Sequence, residues 1–203
     1  LGGAFLSGVV ASLTSSVWVG LIAAPIAGLM VAYVLAVFTV RYFVNQIIVG
    51  VVLNVLVIGL TNFLFGRLLS PDPETWNTPG RFTRLKIPVL GDIPLVGPVL
   101  FDQTVIVYFM YAAVVVASIA LFRTRWGLRV RAVGEHPEAA DTAGIKVNSV
   151  RFRNVLIGGA VAGFGGAYFT LGLSGLFSRE MTAGQGFIAL AAMILGRWTP
   201  VGA

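Results

Sequence analysis

The chain contains no cysteine, which excludes disulfides, iron–sulfur clusters and thiolate metal sites. Charge is the next scarcity: only 11% of the residues are Asp, Glu, Lys or Arg, where a soluble domain carries about 25%. The apolar runs at 17–40, 47–65, 104–122 and 155–177 hold none of these residues. That speaks against a carrier driven by protons or sodium, whose coupling sites usually use ionisable groups inside the membrane. No Walker loop ending in Gly-Lys-Ser/Thr occurs, so ATP is not bound in that way by this chain. The single histidine, His136, sits in a basic loop and reads as a solvated side chain. No carboxylate pair, nucleophile with a base, or ligand cluster emerges. An integral membrane enzyme would therefore lack visible chemistry, and neither a metal nor a cofactor is expected.

What is present is hydrophobic: 57% of the residues, gathered in runs about as long as a bilayer is thick. Only helices or closed barrels satisfy their backbone in lipid. Runs of this length make the expected fold an all-α, polytopic bundle in a single domain over 1–203. Residues 1–16 fit either the end of an earlier membrane segment or a loop. As a helix, 17–40 would span about 36 Å. Gly20, Ala24, Gly28, Ala32 and Ala36 recur along it every four residues and form a small-residue stripe that admits a neighbouring helix. Pro25 predicts a kink.

The second span, 47–65, carries Asn54 and Asn62 on roughly one helix face, with Asn45 and Gln46 at its entrance. Amides in hydrocarbon need partners, so this face should point inward, either lining a solute path or bonding another helix. Prolines 71, 73, 79, 88, 94 and 98 rule out a continuous helix over 66–103. The fourth span, 155–177, is glycine-rich, and its GFGGAYF phrase is helix packing rather than a dinucleotide loop, since no strand precedes it. The run 186–196 is too short to cross and fits a re-entrant helix.

The segment 123–153 is the polar island between these runs. It holds seven of the chain's fourteen basic residues: Arg123, Arg125, Arg129, Arg131, Lys146, Arg151 and Arg153. Short basic loops face the cytoplasm, which sets the orientation: 66–103 outside, Arg41 inside, the turn near Ser178 outside. The net charge of +6 follows mostly from this loop, so nucleic acid is not an expected partner. Within it Pro137 suits a first helical position, Glu138 the positive end of the dipole, and Gly144 a left-handed C-cap.

GEHPEAADTAGI, from Gly134 to Ile145, resembles the cytoplasmic coupling segment of ABC importer permeases in the branched-chain amino acid, ribose and nucleoside family. WGLRVRAV before it, the glycine-rich span after it and MTAGQGFIALAAMILGRWTPVGA at 181–203 are similar to the same family. NQIIVGVVLNVL from Asn45 and DIPLVGPVLF from Asp92 resemble its nucleoside branch. Members continue further at both ends, and the chain, starting at Leu1 without Met, reads as a fragment.

The resemblance implies a permease subunit in the cell membrane that performs no covalent chemistry. It would form the path for a nucleoside or related polar solute, with a ribose- or galactose-type sugar as the alternative and an ATP-independent carrier or channel behind that. Implied partners are two cytoplasmic ATPase subunits, a second permease, an extracytoplasmic solute-binding protein or lipoprotein, and membrane lipid. The residues implied in ATPase coupling are Gly134, Glu135, His136, Pro137, Glu138, Ala139, Ala140, Asp141, Thr142, Ala143 and Gly144. Small Ala139, Ala140 and Ala143 would allow close docking, and the three acids could pair with basic groups. Asn45, Gln46, Asn54 and Asn62 are the candidates for the path.

Overall fold

The computed structural model describes residues 1–86, 101–200 and 202. Residues 1–16, which the sequence left open, form helix α1 (Gly2–Thr14), stopped by Ser15 in the left-handed conformation at φ 50°. Helix α2 (Val17–Ala36) runs unbroken through Pro25, so the expected kink does not divide it, and then widens into a π turn at Val37–Arg41. Helix α3 (Gln46–Leu64) ends in a second π turn, Phe65–Leu69. A short α4 (Pro73–Trp76) follows, capped by Asp72, whose carboxylate accepts from the Thr75 N–H at 3.2 Å.

Strand β1 (Arg84–Lys86) pairs antiparallel with β2 (Asp102–Thr104), Arg84 lying opposite Thr104. Helix α5 (Val105–Arg123) leads to α6 (Arg125–Glu135) and α7 (Pro137–Thr142). Helix α8 (Val147–Ala167) continues as a π turn over Tyr168–Ser174, and α9 (Gln185–Leu195) closes the order. Two boundaries differ from expectation. The island at 123–153 is mostly helix rather than loop, and α8 begins at Val147, so Arg151 and Arg153 belong to a membrane helix.

The centre of the fold is the contact of α1, α2 and α8, and small residues make it possible. A Cβ on Gly20 would lie 2.6 Å from the Ser7 carbonyl oxygen of α1. One on Gly28 would collide with the Gly159 carbonyl of α8, one on Gly163 with the Ala24 carbonyl of α2, and one on Gly3 of α1 with the Gly163 carbonyl. A Cβ on Gly166 would sit 2.7 Å from the Ala4 nitrogen. Ala24, Ala32 and Ala36 are buried, as the four-residue stripe predicts. Lipid tails are as apolar as leucine, so burial supplies no drive here; close backbone approach does, through van der Waals contact.

The first part of the proline-rich stretch is tied to the end of α8. The Asn77 side chain donates to the Phe177 carbonyl at 3.0 Å and accepts from the Phe177 N–H at 2.7 Å. The Phe82 N–H donates to the Leu171 carbonyl at 2.9 Å, and the Phe82 ring is buried edge-on against Trp18. Residues 66–86 are thus ordered against the bundle, while Pro88, Pro94, Pro98 and most of the DIPLVGPVLF phrase lie outside the described residues. This end gathers the start of α2, the start of α5 and the end of α8. The opposite end gathers Arg41, α6, α7 and the start of α8, where Tyr33 and Phe152 meet edge to face at 5.9 Å.

Helices α3, α5 and α9 stand largely apart from that centre. Helix α5 buries only Ile106 and α9 buries nothing. Their exposed Val, Ile, Leu and Phe side chains suit a hydrocarbon environment and would be untenable in water.

Candidate coupling segment and solute path

The turn from α5 into α6 is sharp because Gly127 leaves it room: a Cβ there would strike the Ala120 and Leu121 carbonyls. Thr124 caps α6, its hydroxyl accepting from the Gly127 N–H at 3.1 Å. Val133 is buried on the inner face, and the arginines point outward, with Arg131 stacked 5.3 Å over the Phe122 ring. Helix α6 therefore presents a basic face beside the membrane. The sequence carried its signal, an apolar–basic alternation at helical spacing, but charge density made it look like loop.

Helix α7 starts at Pro137, whose missing N–H costs nothing at a first position. It stops in a Schellman motif. The Ile145 N–H donates to the Ala140 carbonyl at 3.0 Å, the Gly144 N–H to the Asp141 carbonyl at 2.9 Å, and Gly144 takes φ 81°. The predicted start, stop and glycine role all appear. The faces are less as expected. Ala140 is only 4% exposed and packs toward its own chain, whereas Glu138, Ala139, Asp141, Thr142 and Ala143 are exposed. Gly134, Glu135 and His136 form the exposed elbow between α6 and α7, and Pro137 is half-buried. The side chains available to another protein are those of Ala139 and Ala143, one turn apart, with Glu135, Glu138 and Thr142 beside them. Ala140 holds the helix to its base.

The asparagines on α3 are arranged differently from one another. Asn45 is the N-cap, its Oδ1 accepting from the Ile47 N–H at 2.9 Å, and Gln46 begins the helix exposed. The inward stripe of α3 is Val49, Leu53 and Thr61. Asn54 and Asn62 each follow a stripe residue and so lie about 100° round the helix. Asn54 is exposed and Asn62 half-buried. Neither amide lies on the buried stripe itself, and they share the neighbouring flank of α3.

Three buried side-chain oxygens have no hydrogen-bond partner among the described residues: Thr104 Oγ1, Ser118 Oγ and Asn154 Oδ1. Asn154 escaped notice because the span was expected to start at 155, one residue later, leaving the amide in the polar loop. Among the described residues no group of His, Cys, Asp and Glu could hold a metal.

Four helical stretches, Val17–Arg41, Gln46–Leu69, Val105–Arg123 and Val147–Ser174, are long and apolar enough to cross a membrane. With a basic, capped helical segment at one end, they define a multi-pass α-helical membrane protein. The model of the branched-chain amino acid transport system / permease component family matches residues 1–203, and the chain belongs to that family. It is 39% identical over 189 residues to the guanosine ABC transporter permease protein NupQ of Bacillus subtilis. It is 40% identical over 196 residues to the nucleoside ABC transporter permease protein NupC of Lactococcus lactis subsp. cremoris. Each comparison takes in 92% of this chain and 58% of the relative, so the chain spans little more than half the length of these curated relatives. The glucose ABC transporter permease protein TsgB13 of Haloferax volcanii is 29% identical over 180 residues, 87% of this chain and 47% of the relative. No solved structure matches.

Proposed function

We propose that this chain belongs to a membrane permease subunit of an ATP-driven importer and that its solute is a nucleoside. The observation that carries the proposal is the 39–40% identity to two relatives whose names specify guanosine and nucleoside, sustained over 92% of the chain. The sugar alternative has two specific observations behind it: 37% identity over 95% of this chain to the putative glucose ABC transporter permease protein TsgC13 of Haloferax volcanii, and 29% identity to TsgB13 of the same organism. In the proposed complex ATP is hydrolysed on separate cytoplasmic subunits. A second permease completes the path, and a solute-binding protein or lipoprotein delivers solute from outside.

The exposed face of α7 takes the ATPase, and its rigid ends pass the motion into α8. Coupling is then a free-energy difference between two packed arrangements that ATP binding biases. Asn54 and Asn62 offer amide donors and acceptors on the free flank of α3, where they line the path. The whole protein with its partner subunits, reconstituted into liposomes, should accumulate labelled guanosine or uridine only with ATP inside and binding protein outside, and excess glucose should not compete. Glucose uptake without nucleoside uptake would favour the sugar reading, and ATP-independent uptake would remove the importer. In the same assay Asn54→Leu and Asn62→Leu should lower uptake by an assembled complex; wild-type uptake by both would take these amides out of the path.

Orientation has its own test. With α6 and α7 in the cytoplasm, the exposed Thr78 lies outside. Thr78→Cys in the whole protein, which replaces a hydroxyl that donates to the nearby Glu74 carbonyl, should react with a membrane-impermeant maleimide in intact cells. Labelling only after lysis would invert the topology.

A further inference from the structure

At the basic end of the bundle, the π turn that finishes α2 and the first turns of α8 flank an open cleft of about 420 Å³. Arg41 enters it from one helix and Arg153 from the other, with Asn148, Ser149 and the rings of Phe43 and Phe152 completing the wall. Among the described residues neither arginine has a carboxylate partner. Glu138 and Asp141 line a neighbouring cleft that shares Asn148 and Ser149 with this one, and Lys146 accompanies them there.

We infer that the cleft between Arg41 and Arg153 binds the headgroup of an anionic phospholipid. Three features select that occupant. Arg41 is the last residue of a membrane-length helix, so the cleft lies at headgroup depth. Two unpaired guanidinium groups converge on it, and arginine matches phosphate through paired N–H donors. The wall is amphipathic in the sense a lipid needs: Phe43, 76% exposed and held at φ 56°, stands beside Tyr42, also exposed, where aromatic rings favour the membrane interface. The arginine pair and the cleft carry the site; the first turn of α8, which has no side-chain cap, adds backbone donors at Asn148 and Ser149. A lipid seated there would brace the start of α8 on the side opposite α7. The inference is independent of which solute the protein carries, and its failure would leave the transport proposal standing.

The test is native mass spectrometry of the full-length permease in neutral detergent, titrated with phosphatidylglycerol or phosphatidylcholine. Each basic residue near an anionic surface is worth about a fivefold gain, so the pair should favour phosphatidylglycerol by about twenty-fivefold. Arg41→Gln with Arg153→Gln should remove most of that preference. Arg125→Gln with Arg129→Gln deletes the same charge from the exposed face of α6 and should leave it intact. Equal loss from both pairs would mean general surface attraction and would overturn the site, as would an unaltered preference in the first pair. Displacement of the lipid by millimolar inorganic phosphate would make it a free-anion site instead. Should the double variant fail to accumulate, photoreactive phosphatidylglycerol on the wild-type protein must crosslink within 40–43 or 148–153, and crosslinks confined elsewhere refute the inference.

Discussion

Gly163→Val should prevent the central three helices from closing. The added Cβ would meet the Ala24 carbonyl and the Pro25 Cα of α2, and Gly163 is also the backbone against which α1 places Gly3. Overpacking typically costs about 1–3 kcal/mol when side chains can shift. Here the obstacle is the α2 backbone at Ala24 and Pro25, so the cost should reach or pass the top of that range. For a domain of this size that corresponds to a fall in melting temperature of about 10 °C, or to failure to accumulate in the membrane. Gly158→Ala and Gly165→Ala on the same helix are the controls. A Cβ at either position meets nothing within 4 Å, and alanine is favoured over glycine within a helix by about 0.5–1 kcal/mol. Both should be neutral or slightly stabilising. A Gly163→Val protein that melts with the wild type would show that α1, α2 and α8 do not pack as described.

The second large effect is expected on α7, and the structure decides which alanine to change. Ala139→Trp places an indole on the exposed face, where it should leave folding and insertion unaltered and obstruct the ATPase. A steric penalty of about 1–3 kcal/mol lowers association roughly fivefold to more than a hundredfold. Glu138→Arg should act in the same direction, because it reverses a charge that suits both the helix N-terminus and a basic partner surface. Ala140→Trp is a different experiment. At 4% exposure Ala140 has no room for an indole, so that change should loosen α7 from its base and disturb the protein even without an ATPase present. Co-purification of ATPase subunits and ATP hydrolysis in reconstituted complexes separate the cases. Wild-type binding and transport by both Ala139→Trp and Glu138→Arg would show that α7 is not where the ATPase acts.

Much of this protein is local in character and was therefore legible in the sequence. Only helices and closed barrels satisfy a backbone in lipid, and uncharged runs this long exceed a barrel strand, so they read as helices. The five-residue stripe from Gly20 to Ala36 announced a close helix contact, since one helix turn brings every fourth residue to the same side. Pro137 and Gly144 marked the ends of α7, because each acts on its own backbone. The local geometry of the phrase from Gly134 to Ile145 was legible for the same reason, being contiguous in the chain.

Tertiary structure alone decided which neighbour meets which face. The stripe on α2 could not say that its partners are α1 and α8 rather than α3. The spacing of Asn54 and Asn62 gave a shared face but not its direction, which depends on where Val49, Leu53 and Thr61 find contacts. Asn77 reaches Phe177, a hundred residues away, and no turn signal encodes such a partner. Ala139 and Ala140 are chemically identical neighbours, and only the docking of α7 beside α6 and α8 turns one outward and the other in. Composition and local backbone preference act within a few residues, whereas facing and partnership arise from steric fit between distant segments, and that fit exists only once the helices have packed.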